Sequence, residues 1–522
     1  MPRRGLTRSA ALIAISALVA SFAVAAKAPY LQSQRPIVDE QGRVQIIIDF
    51  ADDAHQTYGL PLPVLPRTKG EYDQSPIEFF HNPNVEALVA DVEKQYGLSK
   101  IGITSWSGSS LTAAATADQL KRLQVDPRVK QIFQDSFDSF SWADSPSPPL
   151  AGTETNTWGR QLVNGQVKSV TNTRKIYIID SGVASHVDLS SVSSRINVAC
   201  GSYACNASSP STYPVVGCYA HSTHVAGIIG ATAYNGTGIA GIYAGANMVS
   251  LGLLSRTGSD MCGDSNGNAS GADTVYRSRI GYALDYVYWD TLYNNVPQWV
   301  NIVNLSINSG GLSINSTGPQ ANWARARKVA TPDTVWVGCS VQPDCTEGEQ
   351  YRYYPGAFIA QSAGNNDGNL TCSQQFSDNR HYLPYAVTPG GGPVSADPYD
   401  GIMVVGALNK LENRVTPTFS ATVPSGLTGT EPGSNYGGCV DIWAPGDEIY
   451  STWGALTGNT LVGTTYSNVA SISGTSMAAP HVAAAAAYYA DVYWLATPGA
   501  IEQKIRQKKN PAITALDVVK LW

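Results

Sequence analysis

Charge is scarce in this chain, and cysteine is absent from its first third. Of 522 residues only 14% are Asp, Glu, Lys or Arg, and 34 basic against 40 acidic side chains leave a net charge of −6. So mild a balance, evenly spread, argues against a nucleic-acid partner. Gly 49 and Pro 30 fall short of the roughly 25–30% that marks low-complexity disorder. There is no internal repeat and neither a collagenous nor a coiled-coil pattern. After residue 26 no sustained apolar run is long enough to cross a bilayer, and the Ala-rich stretch 483–487 soon meets Asp491. What remains is a globular protein rich in Gly, Ala, Ser and Tyr. Its length allows roughly two to four domains and a large apolar core.

Residues 1–26 carry Arg3, Arg4 and Arg8, then an uncharged run from Ala10 to Val24 that ends in small residues, Ala23-Val24-Ala25-Ala26. A basic start, a short apolar core and a small-residue cleavage site are the layout of a secretory signal peptide. The expected location is therefore extracellular, with no membrane attachment after maturation. All eight cysteines (200, 205, 218, 262, 339, 345, 372 and 439) follow later in the chain. An even count behind an export signal implies a disulfide framework whose pairing sequence alone does not decide, with Cys339 and Cys345 as a local candidate. N-x-S/T sequons occur at Asn206, Asn235, Asn268, Asn304, Asn315 and Asn369. The one at Asn304 sits in an apolar strand-like run and reads as chance.

Residues 27–137 form a first unit. Val44–Phe50 reads as a strand, Val85–Tyr96 has a helical apolar period stopped by Gly97, and Ile101–Ala115 reads as a strand pair turning at 108–110. Thr116 caps a second helix, and Val129–Phe133 is the last strand. The order β-α-β-β-α-β is a small α+β split-βαβ domain. Residues 138–157, with Ser145-Pro146-Ser147-Pro148-Pro149, have linker composition. From 158 to 522, strand-like runs (Lys175–Asp180, Met248–Leu254, Trp299–Ile307, Ala357–Ala363, Ile402–Ala407) alternate with helical ones. That rhythm predicts an α/β fold with a mostly parallel sheet flanked by helices. Stretches at 255–275, 309–320, 337–356 and 366–400 read as surface insertions.

The chemistry-bearing residues lie in four segments of this second unit. Asp180 closes the buried strand Ile176-Tyr177-Ile178-Ile179, at the edge where open α/β sheets assemble their sites. His221, in His221-Ser222-Thr223-His224, stands at a helix entry, where Asp180 can hold its Nδ1–H and leave it a general base. His224 reads as a core residue. A metal reading of the histidine pair fails for want of the Glu of a zinc-protease motif. Ser476, in Ser473-Gly474-Thr475-Ser476-Met477-Ala478-Ala479-Pro480, opens a small-residue helix whose unpaired N–H groups would stabilise an oxyanion. Asn365, in Ala363-Gly364-Asn365-Asn366, ends another apolar strand and can donate a side-chain N–H to the same oxyanion. Taken alone, that last segment is simply a turn.

Together, in the order Asp…His…Asn…Ser, these segments resemble the subtilisin-like serine proteases, most closely their proteinase K-like branch. The likeness covers most of 150–495 outside the insertions. It includes Trp158-Gly159, Asn304-Leu305-Ser306, Ser434-Asn435-Tyr436-Gly437, Asp441-Ile442-Trp443-Ala444-Pro445-Gly446 and Ser451-Thr452-Trp453. The first unit looks like the family's inhibitory prosegment, above all Thr116–Asp135.

The resemblance implies a secreted endopeptidase acting on protein or peptide substrates as a monomer, with no catalytic cofactor. Ser476 would be the nucleophile, His221 the base, Asp180 its orienting partner, and Asn365 with the Ser476 N–H the oxyanion hole. Substrate would lie as an added strand between Ser306-Ile307-Asn308 and Ser270-Gly271-Ala272. The prosegment would inhibit, with cleavage expected near Leu150-Ala151. Asp441 matches a family Ca²⁺ ligand, so structural Ca²⁺ is an expectation, although one carboxylate is far from the ~6–8 oxygens Ca²⁺ wants. One departure stands out, because Ser222 occupies a position where the family usually has Gly. It motivates a rival reading, a peptide-binding pseudoprotease. A second rival, an acid-acting relative with a Glu base and an Asp in the oxyanion hole, is opposed by His221 and Asn365.

Overall fold

The computed structural model describes residues 28, 30–31, 38–60, 62, 81–135, 137–141, 143–145, 154–169, 174–198, 219–253, 272–294, 299–307, 320–336, 351–369, 399–416, 418, 433–453, 467–512 and 516–521. The N-terminal unit is a five-stranded sheet. The short strand Tyr30–Leu31 lies at one edge, followed by Val129–Gln134, Val44–Phe50, Ser110–Ala115 and Ser99–Thr104. Two helices, Pro83–Tyr96 and Ala117–Leu123, belong to the same unit. Local chemistry sets their limits. Asn82 accepts the Asn84 N–H ahead of Pro83, and Gly97 closes the first helix in a left-handed conformation. Thr116 and Gln119 form a reciprocal capping box on the second.

The second unit is built on a seven-stranded, wholly parallel sheet. Its order is Val192–Asn197, Met248–Gly252, Ile176–Asp180, Asn301–Leu305, Ala357–Ser362, Ile402–Leu408 and Ile442–Pro445. From Ile176–Asp180 the chain crosses to the edge strand Val192–Asn197, fills the gap with Met248–Gly252, and then builds the other side strand by strand. The strand order therefore reverses beside Asp180, which is where the carboxyl ends of an open sheet leave a crevice. The central strands are buried along their whole length. The helix Thr475–Val492 is buried from Thr475 to Asp491. Its run of alanines lets it lie closely against the sheet, and Pro480 leaves the Ser476 carbonyl without an intrahelical N–H, a place taken by the Ser306 hydroxyl. The helix Tyr219–Gly230 packs on it and on the strand Ile449–Trp453. Close approach there depends on Gly227, where a Cβ would come within 2.2 Å of the Thr452 hydroxyl and 2.9 Å of its backbone nitrogen.

Cys439, the single described cysteine, is disulfide-bonded rather than free, and the other cysteines lie outside the described residues. Asn304 is fully buried and donates to the Ser306 hydroxyl at 3.0 Å. Among the described residues no helix is long and apolar enough to cross a membrane.

The two units meet on the helices Arg277–Asn294 and Gln320–Ala330. Asp285 accepts the backbone N–H groups of Ser105, Trp106 and Ser107 at 2.9, 2.7 and 2.6 Å. Asp135 accepts the Ser278 N–H at 3.2 Å, in the first turn of the other unit's helix. Arg325 donates to Asp49 and Ser110 at 2.8 and 2.7 Å. Burial raises the pKa of both Asp135 and Asp285 above the ordinary carboxylate value. From the first unit the chain continues as Phe137–Ser141, antiparallel to Ala272–Tyr276. It then runs as Ala143–Ser145, antiparallel to Ser471–Ser473.

Candidate active site

Asp180 ends its strand fully buried, and its carboxylate accepts the Ser181 N–H at 2.6 Å. The same carboxylate faces His221 Nδ1, at 2.9 Å from one oxygen and 3.0 Å from the other. This pairing fixes the tautomer, since a proton on Nδ1 leaves Nε2 as the basic nitrogen. The His221 helix is tied to the loop after Asp180 by its next two residues. The Ser222 hydroxyl donates to the Gly182 carbonyl, and the Thr223 hydroxyl accepts the Ala184 N–H at 2.9 Å. Ser222 itself lies within the helix and takes no positive φ. The glycine conformation that would strain a serine is therefore not required at this position.

His224 belongs to the core. Its Nε2–H donates to the Ile449 and Ala470 carbonyls at 2.9 and 3.2 Å, and burial pushes its pKa down to about 3.

Ser476 stands in the first turn of the long buried helix. Its hydroxyl donates to the Ser306 carbonyl at 3.1 Å, and the Ser306 hydroxyl donates to the Ser476 carbonyl at 2.8 Å. That reciprocal pair locks the helix entrance to the end of the strand Asn301–Leu305. Asn365 is locked to the same entrance from the next strand. Its Oδ1 accepts both the backbone N–H and the hydroxyl of Thr475, at 2.9 and 2.8 Å, and Thr475 Oγ1 accepts the Gly364 N–H at 2.9 Å. Thr475 thus decides which way the Asn365 amide points. The sequence alone gives Thr475 no role of its own, and its place directly before Ser476 is the available signal.

Ser306 and Ile307 lie directly after their strand, both fully buried. Asn308, Ser270 and Gly271 fall outside the described residues. Ala272 opens the strand that pairs with Phe137–Ser141. The position of Leu150-Ala151 is likewise undescribed, whereas residues 137–141 and 143–145 run past this edge.

Asp441 corrects an expectation. Its Oδ1 pairs with Arg506 at 2.7 Å, and its Oδ2 accepts the Val404 N–H at 2.8 Å. Arg506 also holds Glu502 at 2.7 Å, and Glu502 accepts the Gly401 N–H at 2.9 Å. Both oxygens of Asp441 are engaged by nitrogen donors, and a guanidinium supplies the positive charge. The donor set does not fit Ca²⁺, which needs oxygen ligands in number. Desolvation by burial pushes the Asp441 pKa up to about 6 and that of Glu502 to about 8, against the downward pull of the Arg506 guanidinium they share. Among the described residues no group of three or more His, Cys, Asp or Glu side chains is arranged to hold a metal.

A carboxylate–imidazole pair, a serine at a buried helix entrance and a fixed amide all lie along the carboxyl ends of a parallel α/β sheet. Comparison with known proteins makes the class specific. Residues 171–517, about two thirds of the chain, match the model of the subtilase family, and the chain belongs to that family of serine proteases.

It is 26% identical over 414 residues to the thermostable alkaline protease of Halalkalibacterium halodurans, covering 78% of this chain and 79% of that one. It is 25% identical over 453 residues to the cuticle-degrading protease of Metarhizium anisopliae, covering 81% and 86%. Fervidolysin from Fervidobacterium pennivorans, a keratinolytic enzyme related to subtilisin, shares the fold with a TM-score of 0.54 at 17% identity. The match takes in 95% of this chain and 62% of that one.

Proposed function

We propose that the protein is a secreted serine endopeptidase, made as a zymogen that processes itself. The observation that carries this reading is the His221 ring held by Asp180 at 2.9 and 3.0 Å, on the sheet edge where the buried helix presents Ser476. Ser476 Oγ attacks the scissile carbonyl while His221 Nε2 takes its proton. Asp180 stays ionised, keeps the ring oriented and stabilises the imidazolium. The oxyanion is received by the Ser476 N–H and the Asn365 side-chain N–H. The imidazolium then protonates the leaving amine, and water repeats the sequence on the acyl-enzyme to release the acid.

Substrate binds as an added strand between Ser306-Ile307-Asn308 and Ser270-Gly271-Ala272, with apolar side chains preferred next to the scissile bond. The strand Phe137–Ser141 on Ala272–Tyr276 supports this mode, because it already occupies that edge. Residues 27–137 act as the inhibitory prosegment, and autocleavage in the 138–157 linker frees an extracellular, disulfide-stabilised, monomeric enzyme. Extracellular and alkaline proteases among the relatives agree with an exported product. The helical backbone of Ser222 removes the motive for the pseudoprotease reading.

Labelling by a fluorophosphonate probe tests the chemistry. The parent is expected to label and Ser476→Ala to remain unlabelled, unprocessed and without peptidase activity. Absence of labelling in matured parent overturns the catalytic reading. N-terminal sequencing tests the processing, which is wrong if the secreted protein starts well outside about 138–156.

A further inference from the structure

We propose that Asn435 is a positioning residue for the oxyanion hole, holding in place the turn that carries Asn365; the inference rests on the hydrolytic reading above. Asn435 is fully buried, and it meets the segment around Asn365 from both sides. Its Nδ2 donates to the Ala363 carbonyl at 2.8 Å, and its backbone N–H donates to the Gly364 carbonyl at 2.9 Å. Its Oδ1 accepts the N–H groups of Asn366 and Gly368, at 3.2 and 2.8 Å. One amide therefore satisfies backbone groups before and after the functional residue. In a sheet-end turn those groups would otherwise be unpaired or drawn to water.

The turn needs such a brace because its backbone is unusual. Gly364 has φ +98°, a conformation open to glycine, and Asp367 has φ +50°, which costs a non-glycine residue energy unless the surroundings impose it. An outer layer completes the clamp. The Asp367 N–H donates to the Gly433 carbonyl at 2.7 Å, and the Tyr436 N–H to the Gly368 carbonyl at 2.9 Å. Arg414 pairs with Asp367, donates to the Ser434 carbonyl at 3.0 Å and lies 4.2 Å from the Tyr436 ring centroid. Labour is divided: Thr475 sets the direction of the Asn365 amide, and Asn435 sets where its Cα stands.

An oxyanion donor acts in the transition state, so displacing it lowers kcat and spares KM. Removing the donor outright costs roughly 10²–10³-fold in kcat in subtilisin itself. Displacement by part of an ångström is expected to cost about 10–100-fold.

The test is a cycle of Asn435→Ala, Asn365→Ala and the double variant, in full-length protein allowed to mature. Steady-state peptide hydrolysis is normalised to active sites titrated with a fluorophosphonate. Expected is a kcat loss in Asn435→Ala at nearly constant KM, with the double variant within about threefold of Asn365→Ala. An unchanged kcat per titrated site, or losses that multiply in the double variant, overturns the proposal. Should Asn435→Ala fail to mature, Asn435→Asp replaces it. That change keeps the acceptor for 366 and 368 but sets a carboxylate against the Ala363 carbonyl, and the same two outcomes decide. Failure of the hydrolytic reading shows separately, as parent activity that survives Ser476→Ala.

Discussion

At the scale of single residues, the site depends on side chains whose two ends do different work. Thr475 bonds Asn365 through both its N–H and its hydroxyl, so Thr475→Val removes one of two constraints. About 10-fold lower kcat with unchanged KM is expected, read from initial rates per titrated site. An equal loss in KM would mean that Thr475 serves binding instead.

The meeting of Asp180 with His221, and of Asn365 with the entrance of the Ser476 helix, was legible in the sequence because the four short segments resemble one family only when taken together. Asn435 was visible as part of a motif but without a role, since its partners are backbone groups about seventy positions away that any sequence supplies. Asp441 was misread for a related reason. A carboxylate before a strand looks the same whether it will meet Ca²⁺ or an arginine 65 positions later.

At the scale of elements, the four strands at the centre of the second sheet, together with Met248–Gly252, announce themselves as continuous apolar runs. The two the sequence reading missed, Val192–Asn197 and Ile442–Pro445, are its edges. The first is polar and only partly buried. The second ends in proline, which an edge tolerates and a centre does not.

The C-terminal helix Pro498–Gln507 is fastened by Arg506 between Glu502 and Asp441, and this sets a pH dependence. Glu502 and Asp441 have pKa values of about 8 and about 6 in the fold, against ordinary values of 4.5 and 3.8. Folding therefore takes up protons between those limits. The cluster contributes most below pH 4, and its contribution is lost as pH rises toward 8. Glu502→Gln, made in the Ser476→Ala background to prevent autolysis, is expected to gain in Tm relative to its parent as pH goes from 5 to 8. A constant difference would refute the assignment. His224 and His481 carry the opposite sign. Burial lowers them to about 3 and about 4 from 6.5, so their contribution falls as pH drops below 6.5. Gly227→Ala, which drives a methyl into Thr452, is expected to cost about 1–3 kcal/mol, measurable by denaturant unfolding in the same background.

At the scale of the whole molecule, the two units are joined by polar anchors withdrawn from water. Asp285 receives three consecutive N–H groups of the other unit, and its loss would leave all three unpaired. Burying an unpaired donor is costly, about 1–3 kcal/mol each. Asp285→Ala should therefore loosen the N-terminal unit and shorten the lag before full peptidase activity. A lag equal to the parent's would remove Asp285 from the account of inhibition.

The helix Thr475–Val492 is enclosed by strands that begin about three hundred positions earlier. On the proposed reading, a chain whose parallel sheet has not yet assembled holds no site at all, because Asp180 and Ser476 are neighbours only through the strands that close around that helix.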